Sequence, residues 1–273
     1  MSTQRKSQAT DNGKEDKAFT VDLPRRAFRR VKRQAPLHTP QLGKEEMMQR
    51  MRRFGPFAKL PARVLSELAA AASVRAFRAG EFIWRANDTV NSAMFIEQGF
   101  VKGVRRTGDG ISRTYGLYGP GDSMGIFAIW AGMAYPTDAI AMNDGMAAIF
   151  VDAGAILKFA EKYPRLAGAL RDEIGNFAKA LIRKIEIISA GAVPQRLAAL
   201  MTMLIDRYGV DVKDNTAHLP ITLTLEQISE IVSVRLETVA RAMSSWKRQG
   251  WLTIDANGCH FACLDKVRGL LSA

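Results

Sequence analysis

Residues 224 to 252, TLEQISEIVSVRLETVARAMSSWKRQGWL, constrain this chain more than any other stretch. Thr224-Leu225-Glu226-Gln227 has the form of a capping box, in which the threonine oxygen accepts from the backbone N–H three residues on and Gln227 reaches back. Leu225, Ile228, Ile231 and Val232 then recur at helical spacing and need a core to face. The pattern breaks at Ser233-Val234 and restarts. In the second helix Val239, Ala242, Met243 and Trp246 form one stripe to bury, while Leu236, Glu237, Ala240, Arg241 and Ser244 share the opposite face. Two short helices with a tight turn, the second presenting Glu and Arg one turn apart, make a helix-turn-helix signature. Arginine can grip guanine O6 and N7 with two parallel bonds, and glutamate can accept from cytosine N4. Trp251-Leu252-Thr253-Ile254, Asn257-Gly258 and His260-Phe261 then read as a hairpin with an Asn-Gly turn, a wing.

On these residues the chain resembles the Crp/Fnr superfamily of bacterial transcription regulators, over about residues 45 to 273. The run LETVAR at 236 to 241 is similar to the recognition helix of the family in its Fnr/FixK-like form. The resemblance implies that Glu237 and Arg241 read a C and a G within each half-site of the TTGA or TGTGA type. Leu236 stands where catabolite activators carry a further base-reading Arg, and Ala240 where many Fnr-like proteins carry Ser. Arg235 replaces the usual Ser or Thr N-cap, a loss of about 1 kcal/mol, but a cation there can meet a phosphate. Thr224, Arg235, Thr238 and Ser244 are the candidates for phosphate or peripheral contacts.

A chain of 273 residues suits two modest domains. No run of eighteen apolar residues is present, so no membrane partner is expected, and the opening MSTQRKSQATDNGKEDK lacks the apolar core of a secretory signal. A cytoplasmic location is expected. Cys259 and Cys263 fit a reducing compartment, either as structural residues or in a redox role. The net charge is +12, and residues 1 to 54 hold fourteen Lys/Arg against six Asp/Glu. Residues 220 to 273 hold six basic and five acidic groups. Base reading must therefore come from placed side chains, while non-specific attraction to DNA can come from the basic start.

Residues 1–44 read as a basic extension without periodicity, including RRAFRRVKR at 25 to 33 and three prolines, Pro24, Pro36 and Pro40. It is expected to be a disordered tail or an arm that touches phosphates. Residues 45–158 hold two short helices and then many short strands with Gly turns. These include a hairpin closed by Thr107-Gly108-Asp109-Gly110, and a strand pair at 139 to 142 and 147 to 151 around Asn143-Asp144-Gly145. A double-sheet jelly roll follows, which in the family is the cyclic-nucleotide-binding fold.

Residues 159–190 read as one long helix. Leu166, Leu170, Ile174, Phe177, Leu181, Ile185 and Ile188 form a continuous apolar seam, to be buried internally or by a second copy. The family dimerises through this helix, so Leu166, Leu170, Ile174, Phe177, Leu181 and Ile185 are the expected homodimer interface. Residues 191–273 form the winged helix-turn-helix, entered through the hinge Gly191-Ala192-Val193-Pro194 and a first helix at 195 to 208. The predicted class is therefore α+β, an N-terminal β-roll, a long dimerisation helix and a C-terminal winged helix-turn-helix.

Nucleotide-binding relatives hold the ribose with a Glu and the cyclic phosphate with an Arg; in this chain those places are taken by Ile126 and Pro136. Ile126 leaves ribose hydroxyls unpaired, about 1–3 kcal/mol, and the phosphate keeps only Thr137 and helix amides. Fnr-type oxygen sensing needs a cysteine cluster, and the first 258 residues contain no Cys. Haem would need an axial ligand, and His38 is the only His before His218. What is left is ordinary core or an apolar effector pocket around Ile126, Phe127, Trp130, Met133, Tyr135 and Thr137, its cofactor unknown. The expected function is transcription regulation on double-stranded DNA as a homodimer, with RNA polymerase as a further partner, and no nucleophile–base pair points to an enzyme. The rival is a signalling module with a small effector or haem in the β-roll, whose winged helix makes protein contacts.

Overall fold

The computed structural model describes residues 42–106, 112–213, 215–255 and 257–272. The basic run at 25 to 33, His38 and the hairpin turn at 107 to 110 lie outside the described residues.

Helices α1 (Lys44–Met51), α2 (Gly55–Ala58) and α3 (Ala62–Ala70) open the described chain. Then come β1 (Ala72–Phe77), β2 (Phe82–Trp84), β3 (Ser92–Gln98), β4 (Val101–Arg106), β5 (Ser112–Tyr118), β6 (Ser123–Met124), α4 (Ile126–Ala131), β7 (Asp138–Ala141) and β8 (Met146–Asp152). The strands make two antiparallel sheets, ordered β1-β8-β3-β6 and β2-β7-β4-β5. Strands β3 and β8 read as nearly unbroken apolar runs because both of their faces are covered. Alternation sends Met94, Ile96, Ala148 and Phe150 into the space between the sheets, and Ala93, Phe95, Ile149 and Val151 toward the helices. Phe95 is the hub of the helix side, with Phe54 and Phe57 edge-on at 5.4 and 4.7 Å between centroids.

Two local expectations change. Strands β7 and β8 do not pair with each other: β7 lies between β2 and β4, and β8 between β1 and β3. The turn at Asn143-Asp144-Gly145 is a corner that carries the chain from one sheet to the other. Asn143 Oδ1 accepts from the Phe100 N–H at 2.8 Å and Asp144 Oδ1 from the Ala79 N–H at 2.9 Å, pinning it to both flanks. The long helix also begins later than expected. Helix α5 (Ala153–Lys162) is capped by Asp152, which accepts from the Ala155 N–H at 2.8 Å, and α6 (Pro164–Ser189) starts afresh. Tyr163, preceding a proline, is driven out of the helical region (φ −124, ψ 93), which makes the break.

The seam of α6 is divided among three surroundings. Leu166 and Leu170 are fully buried against the protomer's own helices and sheet, with Ile174 beside them, so neither leucine is free to meet a second copy as expected. Phe177 and Leu181 are half-buried. Ile185 is 59% exposed, as is its neighbour Ile182 at 55%.

The C-terminal lobe comprises α7 (Val193–Tyr208), β9 (Val210–Lys213), β10 (Thr216–Leu219), α8 (Leu225–Val232), α9 (Leu236–Arg248), β11 (Leu252–Asp255), β12 (Gly258–Phe261) and α10 (Leu264–Gly269). Its sheet runs β11-β12-β10-β9, so the wing hairpin is extended by a second one from between α7 and α8. Phe100, Leu117 and Met142 of the β-roll join this lobe's core. Polar contacts reinforce the junction. Asp122 pairs with Arg207 and accepts from the Tyr208 hydroxyl at 2.6 Å, Lys102 meets Glu230 at 2.5 Å, and the Lys184 ammonium donates to the Ile231 carbonyl near the end of α8. Gly119 permits the approach, since a Cβ there would lie 2.4 Å from the Phe100 ring and 2.8 Å from that of Tyr208. No helix among the described residues is long and apolar enough to cross a membrane.

Candidate nucleic-acid interface and β-roll cavity

The capping box at the start of α8 is formed in full: Gln227 N–H donates to Thr224 Oγ1 at 3.1 Å and Thr224 N–H to Gln227 Oε1 at 2.9 Å. Ser233 stops the helix in the left-handed region (φ 56, ψ 48). Arg235 then occupies the N-cap of α9 without a side-chain capping bond, leaving its guanidinium outward. Val239, Met243 and Trp246 are buried, and Ala242 half-buried, in the lobe's core. That anchorage turns Leu236, Glu237, Arg241 and Ser244 outward together, with Thr238 and Ala240 half-buried at the margin. Thr224 is also exposed, although its hydroxyl oxygen already serves the cap. Glu237 and Arg241 thus stand one turn apart on the exposed side of a helix whose other side is fixed, the disposition needed to enter a groove.

The wing differs from its expected turn. Asp255 pairs with Gly258, so the glycine is the first paired residue of β12 and not part of the tip. Its role is close approach: at φ +136 a Cβ would lie 2.2 Å from the Leu219 carbonyl oxygen. His218 and His260 stack across β10 and β12 at 4.2 Å between centroids. Cys259 is buried beneath them, and burial pushes its thiol up to about 11, which keeps it protonated and inert at neutral pH. Cys263 is half-buried.

A cavity of about 220 Å³ opens between the β2-β7-β4-β5 sheet, α4 and α6. Of the residues expected there, Ile126, Phe127, Tyr135 and Thr137 line it. Trp130 does not. Ile126, Ala128 and Ile129 take the buried side of the short α4, and Trp130, in the last turn before Gly132, is left 42% exposed with Met133. The Tyr135 ring stacks on Trp84 at 4.2 Å and 9°, and its hydroxyl donates to the Ser92 carbonyl at 2.6 Å, so the phenol is satisfied inside the wall. Phe127 stacks on Phe177 at 4.9 Å, closing the α4–α6 side.

Two groups escaped the sequence reading. Glu173 lines the cavity and accepts from the Ser123 hydroxyl; burial raises its carboxyl above the ordinary range, the Ser123 bond opposes that, and Asp122 adds to it. A signal existed, because Glu173 precedes Phe177 by one helical turn and so shares its face. Arg105 lines the cavity while itself exposed, its guanidinium donating to the Pro136 carbonyl at 3.4 Å.

Residues 74–163 match the family model of the cyclic nucleotide-binding domain, and residues 195–268 that of the Crp-like helix-turn-helix domain. The CRP-like cAMP-activated global transcriptional regulator of Mycobacterium tuberculosis is 22% identical over 179 residues, 66% of this chain and 79% of that protein. The fold is shared with FixK2 from Bradyrhizobium japonicum, with a TM-score of 0.65 at 19% identity over 73% of this chain and 96% of that one. It is shared also with a regulator of the Crp/Fnr family from Eubacterium rectale, with a TM-score of 0.62 at 12% identity over 81% of this chain and 99% of that one. A nucleotide-binding type of β-roll followed by a Crp-like reading head, each matched in its place along the chain, identifies the lineage: the chain belongs to the Crp/Fnr superfamily of transcription regulators.

Proposed function

We propose that this regulator binds a pseudo-palindromic DNA site as a homodimer, with Glu237 and Arg241 reading base edges in each half-site. The observation that carries this is the fixed orientation of α9, with Val239, Met243 and Trp246 locked in the core and the Glu–Arg pair left outside. Arg235, Thr238, Ser244 and Thr224 flank that pair as backbone contacts. Pairing rests on the exposed part of α6, where Ile182 and Ile185 offer apolar surface to a second copy, with Phe177 and Leu181 behind them. Two recognition helices about one DNA turn apart would then address successive major grooves. RNA polymerase is the partner through which such a factor acts, in the cytoplasm.

Cyclic AMP is not the controlling ligand by the usual contacts. Ile126 is 3% exposed and presents hydrocarbon where the ribose would need an acceptor. Glu173 would place a carboxylate in the same cavity as the phosphate. Selection from random duplexes, followed by footprinting of the winner, tests the proposal: a protected inverted repeat is expected, and binding without sequence preference refutes it.

A further inference from the structure

We propose that the β-roll cavity takes a compact aromatic amine, its ring among Trp84, Tyr118, Phe127 and Phe177 and its ammonium against Glu173. The size comes first. A dry apolar cavity of about 150 Å³ can hold benzene, so about 220 Å³ has room for a fused ring or a ring with a short arm.

The walls then select the chemistry. Six aromatic residues line one space, and aromatic faces attract cations that have left water. Glu173 brings the complementary charge. Among the described residues its carboxylate accepts from Ser123 and Asn176 and has no cation beside it; the charged neighbours acting on it, Asp122 and Asp172, are both acidic. An ammonium would relieve that site, whereas a phosphate or carboxylate would add to it. Arg105 is the group that could favour an anion, but it is exposed and turned to the Pro136 carbonyl.

The location also gives such a ligand something to act on. The Ser123–Glu173 bond ties β6 to α6, and the residue before Ser123, Asp122, holds Arg207 and Tyr208 of α7. Ligand that draws on Glu173 therefore touches a strand end that grips the DNA-binding lobe. This deepens the regulator reading and rests on it for its meaning, but occupancy is measured without DNA.

The test uses the full chain with four probes, tryptamine, indole, indole-3-acetate and cyclic AMP, followed by thermal shift and by titration calorimetry. Tryptamine is expected to bind best, indole about ten-fold more weakly, and the two anions not at all. Glu173→Gln should bring tryptamine down to the indole level and leave indole unchanged. Leu181→Trp, which fills the space, should abolish both, each variant's own melting curve reporting that it folds. Tighter binding of either anion, no binding of tryptamine, or equal tryptamine affinity in Glu173→Gln overturns the proposal. A chain that takes tryptamine but selects no DNA sequence overturns the regulator reading instead, and the reverse result overturns only this one.

Discussion

The reading head and the β-roll cavity are built on opposite principles. In the head, every residue that would face DNA lies within 21 positions of the chain, from Thr224 to Ser244, on a helix pair whose spacing is dictated by one capping box and one turn. In the cavity, Trp84, Gly103, Tyr118, Ile126, Thr137 and Glu173 arrive from five strands and helices and the loops between them. A local site can keep its family's chemistry by keeping one short string. A dispersed site can change its ligand at a few positions, as the reading proposed for Ile126 and Pro136 holds, and here its walls are also core: Trp84, Tyr118, Tyr135 and Ile126 belong to the buried clusters of the β-roll.

That contrast can be broken by substitutions on either side. The largest effect is expected in the β-roll scaffold. Phe95→Ala removes the ring on which Phe54 and Phe57 converge and should destabilise the chain by about 3–5 kcal/mol in urea titration. Loss of much less would mean that the helices do not depend on that face. Next comes Arg241→Ala, expected to weaken the selected site by about 1–3 kcal/mol while leaving random DNA nearly unaffected; equal loss on both, measured by gel shift, would remove Arg241 from base reading. Thr224→Ala should lower stability by about 1 kcal/mol through the lost bond to the Gln227 amide. Thermal melting unchanged by that substitution would show that the core, not the cap, positions α8.

The smallest effect is a pH dependence at the junction of the two regions. Burial, with repulsion from Arg113, lowers the Lys184 ammonium from 10.5 to about 8. The unfolded chain therefore binds more protons at this residue than the folded one between those values, and stability rises with pH there. Below pH 8 both states carry the proton and the penalty for the buried charge is fully present. The window from pH 8 to 9 is the cleaner part, because above it the buried Cys259, raised to about 11, and then Tyr118, raised to about 12, act in the opposite direction. Lys184→Met should flatten the slope in that window, and an unaltered slope would dismiss the assignment.

The helix-turn-helix was legible because its evidence is periodic and short-range: the Thr224–Gln227 box, the stripe through Val239 and Met243, and the break at Ser233 all fall within helical reach. The β-roll was legible as a class, since Gly-punctuated apolar runs permit few alternatives. Its pairing was not. The strands flanking Asn143-Asp144-Gly145 look like a hairpin in one dimension and belong to different sheets in three. Pro164 carried a readable warning that the long helix would break, because the residue before a proline resists helix. The seam of α6 misled for another reason. A repeat of apolar residues states that a face will be buried, not by what, and Leu166 and Leu170 turn out to serve the protomer while Ile185 remains open.

By itself, then, the order of residues determined the helix pair and the outward position of Glu237 and Arg241, both consequences of what stands at fixed offsets along one helix. Only the tertiary structure decided that Glu173 enters the cavity, that Trp130 does not, and that Asp122 holds α7. Those depend on where elements far apart in the chain come to rest, and packing of whole faces, with no periodicity to announce it, is what sets them.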